Sequence, residues 1–216
     1  MVTVPLADEG PYDVRAVPDL SGVVADLEAH RLRAVAIDIP IGLPESGPRL
    51  ADVEARRRVG ARRNSVFPAP ARAVVGATTY AEACARSRRV SGKAISKQLF
   101  NILQKIAEVD ALVTPPLQER LVEMFPEWSL AVLAGAPMSH PKSKAAGLAE
   151  RTAALGAAFG HEVLATHLRP LPPKTQVDDV LDAFAGAWTA RRLARGCALR
   201  IGGEIDARGL RMEVVA

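Results

Sequence analysis

Aromatic side chains make up only 4% of this 216-residue sequence, so aliphatic residues must fill most of its core. Cysteine is nearly absent. Cys84 and Cys197 stand far apart with no C-x-x-C, which excludes a disulfide framework and a zinc knuckle and predicts two reduced, buried thiols. No apolar run approaches the roughly eighteen residues of a membrane span, and the opening MVTVPLADEG lacks the apolar stretch of a secretory signal. The default expectation is therefore a soluble, cytoplasmic protein without a membrane partner. Glycine-rich phosphate loops of the P-loop kind are missing, which counts against a nucleotide-binding phosphotransferase. His161 and His167 lie six positions apart where one helix face needs four, so HEVLATH is not a zinc-protease helix, and both histidines read as ordinary surface or loop residues.

What is present is 49% hydrophobic and 24% charged, the balance of one globular domain over residues 1–216. The formal charge of +4 is unevenly spread. Thirteen basic residues between Arg49 and Lys105 face only Asp52, Glu54 and Glu82, a local balance of +10 that leaves −6 for the rest. The middle of the chain is basic and its flanks are acidic. Any single arginine there is most simply a solvated helix face; only the regional sum points to a polyanionic partner.

The apolar periodicity predicts an α/β order. Residues 2–6 and 12–17 read as an antiparallel hairpin around Asp8-Glu9-Gly10-Pro11, followed by a helix capped by Asp19 or Ser21 and a buried strand over 33–42. Residues 49–110 read as a helical, basic insertion into that core, with a capping box at Thr79-Tyr-Ala-Glu82 and a helix over 96–107. A strand at 120–125, a short helix to Ala134, a helix over 144–158, a short strand or loop at 161–169, a stiff connector at 170–173, a helix over 177–195 and a closing strand or hairpin complete the order.

Three placements of acidic residues are anomalous. Asp38 interrupts an apolar run, where a carboxylate costs several kcal/mol unless something compensates it. Either it belongs to a site, or it turns toward backbone N–H groups of the loop from Pro40 to Pro44. Asp178, Asp179 and Asp182 open the last long helix. Helix capping accounts for Asp178 or Asp179, but Asp182 repels its neighbours at i,i+3 and i,i+4 unless a cation sits between them. Glu127 follows Pro126 at the end of the strand holding Glu123 and reads as a projecting ligand or a first-turn helix acid. Carboxylates without a histidine or cysteine cluster suit a hard cation, Mg²⁺ or Mn²⁺, and two such ions support phosphodiester hydrolysis.

The segments AVAIDIPIGLPESGPR, EARRRVGARRNSVFPAP, VEMFPEWSLAVLAG, KSKAAGLAERTAAL and DDVLDAFAGAWTARR together resemble the domain-of-unknown-function family 429, described as predicted RNase H-like nucleases. The resemblance implies an RNase H-like mixed sheet flanked by helices, with the basic insertion after the Asp38 strand. It implies a divalent-metal-dependent nuclease, with catalytic Asp38, Glu127, Asp179 and Asp182, and with Asp38, Asp178, Asp179 and Asp182 holding metal. Arg56, Arg62, Ser65, Lys142 and Arg151 are the implied contacts to nucleic acid, and Phe67 falls in the same matching insertion. It further implies a first strand of V-D-G-x-x-x-G-W type with another metal-binding aspartate, lying between the hairpin's second strand and the Asp38 strand. The sequence begins after that pattern, which predicts that Met1 is an internal methionine. The rival expectation is a non-catalytic module of the same fold that binds nucleic acid or protein.

Overall fold

The computed structural model describes residues 2–4, 13–169 and 171–216. Strand β1 (Val2–Thr3) pairs antiparallel with β2 (Arg15–Ala16), the predicted hairpin, whose turn lies outside the described residues. Helix α1 (Ser21–Glu28) follows, with the Asp19 carboxylate accepting the Ser21 N–H. Strand β3 (Val35–Ile37) then runs parallel to β4 (Leu121–Glu123), with Ile37 opposite Glu123.

Between these two strands lie α2 (Leu50–Arg58), two 3-10 turns at Gly60–Ser65 and Arg72–Val74, α3 (Tyr80–Ser91) and α4 (Lys97–Leu112). Thr79 caps α3 by accepting the Glu82 N–H, while the Glu82 carboxylate accepts from Thr78, one residue earlier than a capping box requires. The insertion is not detached from the core. Leu99, Leu103 and Ile106 of α4 pack in one apolar cluster with Leu27 of α1 and Ile37 of β3.

After β4 come α5 (Pro126–Ala134), α6 (Ala145–Phe159), α7 (His161–Leu168) and α8 (Val177–Ala194). Helix α7 corrects the expected strand or loop at 161–169. Gly160, at φ 95°, breaks α6 and starts a new helix, whose Leu164 is buried in the cluster that also holds Leu155, Phe159 and Phe184. His161 is exposed and the His167 ring lies 5.9 Å from that of Phe184. Pro170, in the expected connector, lies outside the described residues. The tail is a hairpin of β5 (Arg200–Ile205) and β6 (Arg211–Val215). Cys84 is buried as expected, but Cys197 is exposed, because it follows the end of α8.

The described residues thus form a mixed α/β fold, mostly helical, in which strands make three separate two-stranded pairings. The single mixed sheet expected for an RNase H-like fold is not formed among them. The hairpin β1–β2 and strand β3 do not pair; a cavity of about 1840 Å³, lined by residues of both, lies between them. In the β3–β4 ladder the N–H of Val35 and the C=O of Ile37 bond to Arg120 and Met124, which flank β4, so by the alternation of a parallel ladder those of Ala36 face the opposite edge, which no other described strand pairs. Helix α8 lines the same cavity and closes on β3 at Gly186, where a Cβ would stand 3.2 Å from the Ala36 carbonyl oxygen. No helix among the described residues is long and apolar enough to cross a membrane.

Candidate active site

Asp38 stands one residue past the end of β3, and the segment that follows it is buried through Pro44. That segment does not satisfy Asp38. The Ile41 N–H donates to Glu123 at 2.7 Å and the Leu43 N–H to Asp206 at 3.1 Å, so the loop amides that could have compensated Asp38 serve other carboxylates. Arg49, itself fully buried, donates to the Ile41 and Gly42 carbonyls, to both Glu123 oxygens and to both Asp52 oxygens. Gly42 is needed here: its φ is 76° and a Cβ would meet Met212 Cγ at 2.9 Å. The loop is therefore locked from below, and Asp38, exposed to solvent, opens into the cavity. Although its carboxylate meets solvent in that cavity, desolvation by the protein mass around it first, then the negative charge of Asp182, pushes the Asp38 carboxyl up to about 7, with Lys142 pulling the other way.

Helix α8 brings Asp179 and Asp182 to the same cavity, with unequal roles. Asp179 Oδ2 accepts the Gln176 N–H at 2.8 Å and completes a capping box, so its carboxylate is engaged at the helix start. Asp182 lies one turn further in. Burial raises its proton affinity, Asp178 and Glu127 add to that, and Lys142 opposes it. The cation that the Asp178/Asp182 spacing demanded is Lys142, whose Nζ lies 2.7 Å from Asp182 Oδ2 and 3.4 Å from Asp178 Oδ2. Burial works against the Lys142 charge, but the two aspartates outweigh it and hold the ammonium above its ordinary value.

Glu127 arrives from α5, where Pro126 takes the first helical position and leaves no backbone N–H to satisfy. Its side chain is 7% exposed; Oε1 is paired with Arg151, whereas Oε2 is buried without a hydrogen-bond partner. Arg151, expected as a substrate contact, is buried and donates also to the His140 and Gly147 carbonyls, which removes it from solvent. Its work is to position Glu127 and the loop carrying Lys142. That loop is tied from the other side by Glu150, which accepts the Ser139 and His140 N–H groups.

The structure therefore couples Asp38 to Asp182 and Lys142, and Asp182 in turn to Asp178 and Glu127; Asp38, Asp179 and Asp182 line the cavity, whereas Asp178, Glu127 and Lys142 are not in its lining. Among the described residues no three His, Cys, Asp or Glu side chains stand in ready-made metal-holding geometry. The basic insertion is elsewhere. Of the three expected contacts there, Arg56 reaches the Val66 carbonyl, Arg62 is half-buried, Ser65 is exposed, and none lines the cavity; Lys105 is the insertion's contribution to it. Several insertion arginines are already paired: Arg49 as above, Arg58 with Glu54, Arg72 with Asp110 and Asp206, and Arg86 with Glu82. The Arg49, Asp52 and Glu123 network joins residues too far apart for local pattern to link, and the one sequence signal for it is Glu123, an acid inside the apolar run of β4.

Strand-end carboxylates beside an open cavity place the molecule among mixed α/β proteins with an acidic centre at the C-terminal end of a parallel strand. More specifically, the chain belongs to the family of proteins of unknown function designated DUF429, whose model matches residues 2–207. Neither the curated proteins nor the solved structures yield a match.

Proposed function

We propose that the protein is a divalent-metal-dependent nuclease with an RNase H-like arrangement of its site. The observation that carries this reading is the meeting of Asp38 and Asp182 in one cavity beside Glu127, a buried carboxylate with one oxygen unpartnered. An uncompensated buried carboxylate oxygen is costly, and an oxygen-only donor set fits Mg²⁺ or Mn²⁺. Asp38 and Asp182 are the carboxylates that would meet an ion in the cavity, and with their acidic neighbours they do not by themselves make a three-ligand group among the described residues. Asp179, engaged in capping, would orient the helix that carries Asp182. When bound, the cation supplies Lewis acidity for attack by water and charge neutralisation on the phosphate.

The chain's own residues do the rest. Arg49 and Glu123 hold the loop that aims Asp38; Arg151 holds Glu127; and the insertion's exposed basic side chains, such as Arg57, Arg63, Arg88 and Arg89, attract the polyanion from a distance.

Incubation of the purified protein with single-stranded, duplex, hybrid and branched nucleic acids in Mn²⁺ tests this reading. Cleavage that disappears in Asp38→Asn and Asp182→Asn is the expected result, and absence of any such cleavage removes the nuclease assignment. One observation favours the second reading, a nucleic-acid-binding module without catalysis: Arg56, Arg62 and Ser65 stand away from the acidic cavity. In that case nucleic acid binds with the same affinity with or without Mn²⁺, and Mn²⁺ leaves the melting temperature unchanged.

A further inference from the structure

We propose that Phe67 and the exposed arginines beside it form a docking platform for single-stranded nucleic acid, set apart from the acidic cavity; this rests on the nucleic-acid reading above and names the strand state it takes. Aromatic side chains are scarce in this chain and the interior uses nearly all of them. Among the described residues Phe67, at 38% exposure, is the one aromatic left on the surface, the others being buried or half-buried. Its surroundings carry charge of one sign: from Arg56 to Pro68 there are five arginines and no acid. Val59 and Val66 are buried in one apolar cluster, which folds the Gly60–Ser65 turn back onto the end of α2 and brings both runs of arginine to the Phe67 loop. Arg56 accordingly reaches the Val66 carbonyl at 3.5 Å. A lone exposed apolar ring needs no explanation, but a ring among arginines matches the two parts of a nucleotide, base and phosphate.

The platform is also pre-formed. Val66 is buried on one side of Phe67 and Ala69 on the other, and Pro68 holds the residue before it out of the helical region. The Ala69 N–H donates to Asp52 Oδ2 at 3.1 Å, and Asp52 is held in turn by Arg49. The same Arg49 donates to the Ile41 and Gly42 carbonyls in the loop after Asp38. One buried guanidinium thus ties the Phe67 loop to the Asp38 loop, so a strand resting on Phe67 is held at a set distance from the cavity. Arg58 is engaged by Glu54 at 3.1 Å and stands 5.9 Å over the Trp128 ring, so the exposed cations offered to phosphate are Arg57 and Arg63. Arginines alone would suit either form of nucleic acid. The ring decides between them, because duplex bases cover one another's faces and show a convex protein surface only sugar and phosphate, whereas each base of a single strand has a face that an aromatic side chain can cover.

The test is a fluorescence-anisotropy titration of the full chain, in EDTA so that cutting cannot intervene, against labelled oligo-dT, oligo-U, a DNA duplex of the same length and poly-glutamate. The natural sequence is compared with Phe67→Leu, Phe67→Trp and the pair Arg57→Ala with Arg63→Ala. The natural sequence is expected to bind at least one single strand more tightly than the duplex. Phe67→Leu should lose on the order of tenfold in single-strand affinity, the worth of stacking one base, with duplex binding and the salt dependence unchanged. Phe67→Trp should keep the affinity, and the emission of its added indole should fall as the strand binds. The arginine pair should weaken single-strand and duplex binding alike and lower the salt slope. Unaltered single-strand binding by Phe67→Leu, or an equal loss on strand and duplex, overturns the platform and leaves the nucleic-acid reading standing. Tighter binding of poly-glutamate than of either single strand also overturns it, in favour of an acidic protein partner. No binding of any nucleic acid by the natural sequence overturns the nucleic-acid reading and the platform with it.

Discussion

Two carboxylates end the two parallel strands side by side, and their fates differ. Glu123, on β4, is wholly buried but receives three N–H groups: two from Arg49 and one from Ile41. Burial pushes its carboxyl up to about 6, with Arg49 and the Ile41 amide pulling back. Asp38, just past β3, is exposed to a cavity and has Asp182 and Glu123 for acidic neighbours, with Lys142 opposing them. The first arrangement satisfies its charges and holds shape. The second keeps an excess of negative charge in a place where it costs stability, the pattern expected where a charged ligand is to be received.

The largest effect should come from breaking the satisfied side. Arg49→Met strands Glu123 and Asp52 in the core, and urea unfolding should register a loss of about 3–5 kcal/mol or a failure to fold. A loss under 1 kcal/mol would mean that the network does not hold the Asp38 loop. Arg151→Met leaves Glu127 without its partner; a loss of about 3 kcal/mol, largely recovered by adding Glu127→Gln, is expected from the same measurement.

The excess-charge side should respond with the opposite sign. A carboxyl whose folded pKa is raised from 3.8 to about 7 is protonated in the native state while already ionised in the unfolded chain. Its contribution to stability is therefore fully present below about pH 4 and is lost as pH rises through 7. Asp38→Asn should remove that decline. Thermal melting across this range would then find the variant about 2–4 °C above the natural sequence at pH 8 and level with it at pH 4. A variant less stable at pH 8 would mean that Asp38 is compensated after all.

Asp179→Ala separates capping from ligation. Loss of the cap should cost about 1 kcal/mol, while the stabilisation conferred by Mn²⁺ persists. If that stabilisation vanishes, Asp179 is a ligand and its capping bond is secondary. The smallest effect concerns the distant basic surface: Arg56→Ala with Arg62→Ala should lower the salt dependence of duplex binding by about one unit of slope for each arginine that meets a phosphate. An unchanged slope would move the nucleic-acid contact elsewhere.

Much of this comparison was legible from periodicity and spacing. The capped α8, the α5 helix after Pro126, the strand before Asp38 and the need for a cation between Asp178 and Asp182 all follow from local pattern, because capping and like-charge repulsion operate over three or four residues. The identity of that cation was not legible. Lys142 is 40 residues from Asp182, and nothing local distinguishes it from a solvated lysine. Arg151 misled for a related reason: a G-x-x-x-R spacing puts a guanidinium on a helix face without saying whether that face is buried. Helix α7 was missed because Val163 and Thr166 favour a strand in isolation, whereas the burial of Leu164 among Leu155, Phe159 and Phe184 is a tertiary gain.

By itself the sequence determined the order of elements, the segregation of positive charge into the middle of the chain and the presence of acids that a solvated surface would not explain. Those are properties of neighbours along the backbone. Only the tertiary structure decided which acid is neutralised and which is left in excess, since that depends on whether a distant arginine or lysine arrives. The loop after Asp38 gave its amides to Glu123 and Asp206, and the charge left over at Asp38 is the consequence.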